Sequence, residues 1–181
     1  MATPPPPYDR VHARLGERLP PARLITDPLR LMTWGTDASL YRLVPKIVAV
    51  VESEDEVAFL LDVCRDAGVP LTFRAAGTSL SGQAISDSVL AVLGDSWNWA
   101  RVENEGETLR VRPATIGAEC NRRLAPYGRK IGPDPASIDS CKVGGIVNNN
   151  SSGMCCGVAQ NTYHTMAALR KDKPVIVSST R

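Results

Sequence analysis

The chain has 181 residues, 43% of them hydrophobic and 22% charged, and a formal net charge of +2. That length suits one ordinary domain or two small lobes, and the composition is that of a soluble globular protein. Lysine and arginine form no stripe along the chain, which argues against a dedicated nucleic-acid binder.

The opening residues MATPPPPYDR contain no apolar stretch of the secretory kind. The longest aliphatic run, Ile47 to Val51, is far shorter than the roughly 20 residues of a membrane span. The expectation is a cytoplasmic protein without a transmembrane segment, with peripheral contact at the inner membrane left open. Five cysteines occur, at 64, 120, 141, 155 and 156, an odd number without a C-x-x-C pair. Spare or buried thiols are expected rather than a disulfide framework, a zinc site or an iron–sulfur cluster. His12 and His164 share no ligand spacing, so no metal is expected.

Residues 1–7 read as a Pro-rich disordered tail. Tyr8 to Leu19 supports a helix with Val11, Leu15 and Leu19 on one face, ended by Pro20-Pro21, and a second short helix is expected up to Leu29. Trp34 to Pro45 reads as loop. Lys46 to Val51 is a β-branched run and predicts a buried strand. Ser53-Glu54-Asp55-Glu56 has the form of a capping box, with Val57, Leu60, Leu61 and Cys64 following at helical spacing and Gly68 as the stop. Leu71 to Arg74 then predicts a second strand, parallel to the first through a right-handed crossover. Val89 to Leu93 reads as a strand. Trp97 to Glu103 and Thr108 to Arg112 read as a hairpin around Asn104-Glu105-Gly106. Thr115 is placed to cap a helix that buries Ile116, Cys120 and Leu124 and ends near Gly128. From Lys130 to Gly157 the chain is rich in Gly, Ser, Asn and Pro without periodicity, a length of irregular chain that suggests a wrapped ligand.

Two segments carry the chemistry. RAAGTSLSGQ, residues 74–83, is almost all small side chain. Gly77 and Gly82 permit backbone conformations barred to other residues, and successive amides there can form an anion nest, with Thr78, Ser79 and Ser81 adding hydroxyls. An ordinary strand–loop is the competing reading. The loop matches neither G-x-x-x-x-G-K-[ST] nor G-x-G-x-x-G. The second segment, Lys130 to Gly157, holds Pro133-Asp134-Pro135, the Gly144-Gly145 pair and the polar run Asn148 to Ser152 with Gly153 behind it. It suits the polar edge of a heteroaromatic ring, a ribose or a phosphate, or else a surface loop of Asx and Ser turns.

TDASLYRLVPKIVAVVESEDEV, RAAGTSLSGQ, GPDPASIDSCKVGGIV and NNNSSGMCCGVAQNT together resemble the N-terminal FAD-binding region of the vanillyl-alcohol oxidase, or PCMH-type, flavoproteins. The likeness runs from about Trp34 to Arg170 and is greatest to FAD-linked D-lactate and D-2-hydroxyglutarate dehydrogenases of the long form, which carry an iron–sulfur C-terminal region. It implies an α+β fold of two small α/β subdomains, the second incomplete. Residues 1–33 would be an N-terminal tail and helices, 34–170 the partial FAD-binding domain, and 171–181 a divergent tail.

In that family the loop matching Ala76, Gly77, Thr78, Ser79, Leu80, Ser81, Gly82 and Gln83 cradles the FAD pyrophosphate. Pro133, Asp134 and Ser137, the turn Val143-Gly144-Gly145, and Asn150, Gly153 and Gly157 match positions beside the cofactor. Some relatives attach FAD through a histidine near the first loop; Ala75 and Ala76 stand there, so non-covalent FAD is implied. Asn148 departs from the family's usual alanine. KDKPVIVSSTR does not look like the family, and its substrate arginines and metal-binding histidines match nothing here. The resemblance therefore implies the FAD-binding portion of a flavoprotein dehydrogenase acting on a small D-2-hydroxy acid. No catalytic residue is carried over, the electron acceptor is unknown, and the chain alone is expected to be inactive. A truncated, non-catalytic nucleotide-binding remnant and a reductase of the same fold are the alternatives.

Overall fold

The computed structural model describes residues 7–169 and the backbone of residues 175–180. The expected disordered tail lies almost wholly outside those residues. Two units divide between Gly94 and Asp95.

In the first unit, Tyr8–Leu15 forms α1, shorter than the periodicity predicts. The chain turns after Leu15, with the Leu19 amide donating to Leu15 O at 2.8 Å, and still buries Val11, Leu15 and Leu19 together. The expected second helix is instead a 3-10 turn at Pro21–Arg23, a two-residue strand β1 (Leu24–Ile25) and α2 (Pro28–Thr33). Asp27 caps α2 by accepting from the Arg30 amide at 3.0 Å, and Pro28 fits the first turn, where no amide partner is needed.

Strand β2 (Ile47–Val51), α3 (Glu54–Ala67), β3 (Leu71–Arg74) and β4 (Val89–Leu93) follow. The sheet order is β1-β2-β4-β3. β2 and β3 are both parallel to β4, which lies between them, so the crossover predicted from sequence joins strands that are not neighbours. Alternation along β2 explains why the sheet is covered twice. Ile47, Ala49 and Val51 pack with α1 and with Leu60, Val63 and Cys64 of α3. Val48 joins Ile25, Leu31, Leu90 and Val92 on the other face.

The capping box at α3 holds in part. Ser53 Oγ accepts from the Glu56 amide at 3.2 Å, while the Glu56 carboxylate takes the Glu52 amide at 2.7 Å. It also takes Arg23, whose Nη1 and Nη2 donate at 2.6 and 2.8 Å. Gly68 closes the helix in the left-handed region at φ +64°.

In the second unit, β5 (Ala100–Glu103) and β6 (Thr108–Val111) form the expected antiparallel hairpin. Asn104, Glu105 and Gly106 all have positive φ at the turn. Helix α4 (Gly117–Leu124) buries Cys120 and Leu124 but is not capped by Thr115. The Thr115 hydroxyl instead accepts from Trp99 N at 3.0 Å and donates to Trp99 O at 3.1 Å, tying the helix approach to the hairpin. The stretch expected to be irregular contains β7 (Lys130–Ile131) and α5 (Val143–Asn148). α6 (Thr162–Thr165) comes next, and β8 (Val175–Thr180) lies between β6 and β7 in the order β5-β6-β8-β7, antiparallel to both neighbours. The divergent C-terminal residues thus supply backbone to the second sheet. The core beneath it gathers Leu109, Val111, Cys120, Leu124, Ile131, Val143 and Ile146.

Candidate functional site

The loop 74–83 leaves the carboxyl end of β3, the end at which parallel strands of an open sheet present a ligand crevice. Gly77 has φ +76° and Gly82 φ +71°, so both positions use the freedom that only glycine has without strain. At Gly77 the missing side chain also matters: a Cβ there would lie 2.6 Å from the Arg74 guanidinium carbon. Ser79 Oγ accepts from the amides of Ser81 at 3.2 Å and Gln83 at 3.3 Å, and donates to Gln83 Oε1 at 3.1 Å. Two loop amides therefore already converge on one oxygen. A phosphate oxygen has the same acceptor chemistry, so an anion that displaces the Ser79 hydroxyl meets both amides. Sequence reasoning gives Ser79 a donor's role toward a ligand; the structure shows its hydroxyl oxygen occupied by the loop's own amides. Leu80 and Ser81 are exposed, and Thr78 is half-buried.

The charges around the loop are set by burial and contact. Burial lowers the Arg74 pKa against the opposing pull of Asp37. Burial alone would raise the Asp37 carboxyl, but hydrogen bonds from Ser39 and Ala84, with Arg74 nearby, hold it below the ordinary range. The lowered Asp37 carboxyl thus favours its ionised form beside the Arg74 guanidinium.

The second unit places its predicted residues in separate local settings. Asp134 meets Gly153, where an added Cβ would fall on the Asp134 carbonyl, so glycine here permits close approach of the chain's own backbone, and Pro133 immediately precedes that contact. Ser137 O accepts from the amides of Ser140 at 2.8 Å and Cys141 at 2.7 Å, forming the turn that leads into α5. Val143 and Gly144 open that helix, and their amides donate to Thr115 O and Pro113 O, both at 2.8 Å. The neighbour that approaches Gly144 is Pro113, whose Cβ would be 3.0 Å from an added Cβ. Gly145 bonds within the turn to Lys142 O at 2.9 Å. Asn150 has φ +46° and accepts from the Tyr163 amide at 2.9 Å through Oδ1. Gly157, at φ +52°, has no neighbour within 4 Å of an added Cβ and remains open.

Sequence reasoning missed the segment Thr36–Tyr41. It reads as loop, yet its atoms bond to the first loop. The signal available was an acidic residue, Asp37, in the stretch TDASLY and an arginine at the loop's first position, two opposite charges able to pair. The five cysteines are free, with Cys155 exposed and the others buried. Burial pushes the Cys64 thiol to about 11 and the Cys120 thiol to about 12, so neither is a nucleophile at neutral pH. Among the described residues no group of His, Cys, Asp and Glu could hold a metal ion, and no helix is long and apolar enough to cross a membrane.

The first unit thus combines three parallel strands and an antiparallel edge strand with a glycine-dependent loop, and the second is an antiparallel α+β unit. The chain belongs to the FAD binding domain family, whose profile matches residues 45–171. It is 30% identical over 166 residues to the glycolate oxidase subunit GlcD of Escherichia coli K12, covering 89% of this chain and 33% of that protein. It is 30% identical over 137 residues to D-2-hydroxyglutarate dehydrogenase of Pseudomonas putida, covering 73% of this chain and 14% of the relative. The chain thus spans about a third or less of these relatives. Among solved structures, an alkyldihydroxyacetonephosphate synthase superposes with a TM-score of 0.81 at 17% identity, over 99% of this chain and 42% of its own. 6-Hydroxy-D-nicotine oxidase of Arthrobacter nicotinovorans follows the same fold with a TM-score of 0.69 at 13% identity, over 87% and 42%. These likenesses establish the PCMH-type α+β fold.

Proposed function

We propose that residues 34–170 form the FAD-binding portion of an oxidoreductase that oxidises a small 2-hydroxy acid of the D-lactate or D-2-hydroxyglutarate type. The observation that carries the reading is the loop 76–83, where the amides of Ser81 and Gln83 converge on one oxygen within a chain of the FAD binding domain family. In this reading Ala76 to Gln83 hold the pyrophosphate through backbone amides. Pro133, Asp134, Ser137, Val143, Gly144, Gly145, Asn150, Gly153 and Gly157 line the rest of the cofactor. Gly153 acts by letting the chain close against Asp134, and Gly157 by staying open.

Bound FAD supplies two-electron redox chemistry. The residues of this chain bind and orient it. No histidine or cysteine lies between Arg74 and Gln83, which supports non-covalent attachment at this loop. The names of the relatives, a glycolate oxidase subunit and D-2-hydroxyglutarate dehydrogenases, support the substrate class. Binding of the hydroxy acid is assigned outside residues 1–181, and rapid turnover of D-lactate or D-2-hydroxyglutarate by this chain alone would contradict that division.

The test is a visible spectrum of the purified chain after incubation with FAD and gel filtration, followed by acid precipitation. The reading expects a protein-bound flavin spectrum and flavin released into the supernatant. Colourless protein contradicts FAD binding; flavin that stays with the precipitate contradicts non-covalent attachment.

A further inference from the structure

The first loop is fastened from outside as well as from within. Its internal bonds run from Ser79 to Ser81 and Gln83, while Gly77 and Gly82 leave the backbone free on either side. Further contacts come from Arg74 and from Thr36–Tyr41. Arg74 Nη1 donates to Thr36 O at 2.8 Å and to Ala84 O at 3.1 Å, joining the loop's two ends to each other and to that segment. The Ala38 amide donates to Gly77 O at 3.0 Å. The Ala84 amide donates to Asp37 Oδ2 at 3.4 Å, and Asp37 Oδ1 takes the Ser39 amide at 2.9 Å. The Tyr41 ring lies against Gly82, its Cδ2 3.0 Å from where a Cβ would stand. The guanidinium is stacked 5.5 Å from the centre of the Trp34 ring, which limits its freedom.

We propose that Arg74 and Asp37 are positioning residues, and Thr36–Tyr41 a strap, that hold loop 76–83 in its anion-binding conformation before the cofactor arrives. An amide nest binds well only when its amides already point inward, because ordering them on binding costs affinity. The strap bears that cost in the folded protein. The guanidinium flanks Gly77 as well, so any side chain at 77 displaces both the loop and the group that fixes it. The inference rests on the FAD reading for its consequence, but the strap itself is a property of the ligand-free chain.

The experiment compares wild type with Arg74→Gln, Arg74→Lys and Asp37→Ala. Amide hydrogen exchange is measured without ligand, and FAD and riboflavin are then titrated. Exchange at Ser81 and Gln83 is expected to rise about tenfold in Arg74→Gln and Asp37→Ala, with β2 and β4 still protected. FAD is expected to bind about tenfold more weakly while riboflavin, which has no phosphate, binds as to wild type. Arg74→Lys keeps the charge but not the planar reach to two carbonyls, and is expected to lie between. Unchanged loop exchange in Arg74→Gln and Asp37→Ala overturns the proposal. So does a rise that spreads equally through β2 and β4 in all the variants, which would make these residues supports of the whole unit. Wild type that takes up no FAD refutes the cofactor reading instead, and leaves the strap to be judged by exchange.

Discussion

At the scale of single residues, the glycines divide by what approaches them. Gly153 faces the Asp134 backbone so closely that even alanine must push the chain apart. Gly153→Ala is expected to cost about 3 kcal/mol by overpacking, read as a lower urea midpoint. Gly157 has open space around it, and a substitution there meets only the strain of its φ of +52°. Glu56 shows the same dependence on surroundings for charge. The hydrogen bond from Arg23 outweighs burial and holds its pKa below the ordinary 4.5. A carboxylate depressed in the folded state adds stability above its unfolded pKa and loses it as pH falls through the folded value. Glu56→Gln is expected to lose about 2 kcal/mol at neutral pH, where Arg23 would be left without its charged partner. The gap between the variant and wild type should shrink as pH drops below 4.5, in urea melts across that range. A gap that does not change with pH would remove the ion pair from the account.

At the scale of elements, most of what the sequence announces is local. The Ser53 half of the capping box, the stop at Gly68 and the hairpin turn at Asn104-Glu105-Gly106 each depend on residues close in sequence, and each stands where the pattern puts it. The misses are long-range. Nothing in residues 46–74 says that β4 inserts between β2 and β3, because that order is decided by which apolar faces meet across the sheet. Thr115 has the right type and place for a cap, but Trp99, sixteen residues earlier, takes its hydroxyl. The candidate site was legible in the same uneven way. The small side chains of 76–83 and their glycines marked the loop, whereas the fastening by Asp37 and Arg74 depends on tertiary contact. The second sheet makes a sharper test. β8 pairs with both β6 and β7, so a chain ending at Leu169 leaves those strands without the neighbour between them. Its melting temperature is expected to fall by about 5 °C or more, with loss of amide protection in β6 and β7 and little change in β2 and β4. Equal protection in the two chains would contradict the pairing.

At the scale of the molecule, the family match covers residues 45–171, while the chain spans a third of the glycolate oxidase subunit it resembles. The account assigns it the holding of FAD and assigns the hydroxy acid elsewhere. The claim on which everything else depends is that loop 76–83 grips the cofactor. It is tested most directly by titrating FAD into the wild-type chain and into Gly77→Val, following flavin fluorescence, with circular dichroism to compare folding. The account predicts saturable binding to wild type and a loss of about 100-fold or more in the variant, whose β-branched side chain meets both a φ of +76° and the Arg74 guanidinium. Equal affinity for two equally folded chains would contradict it.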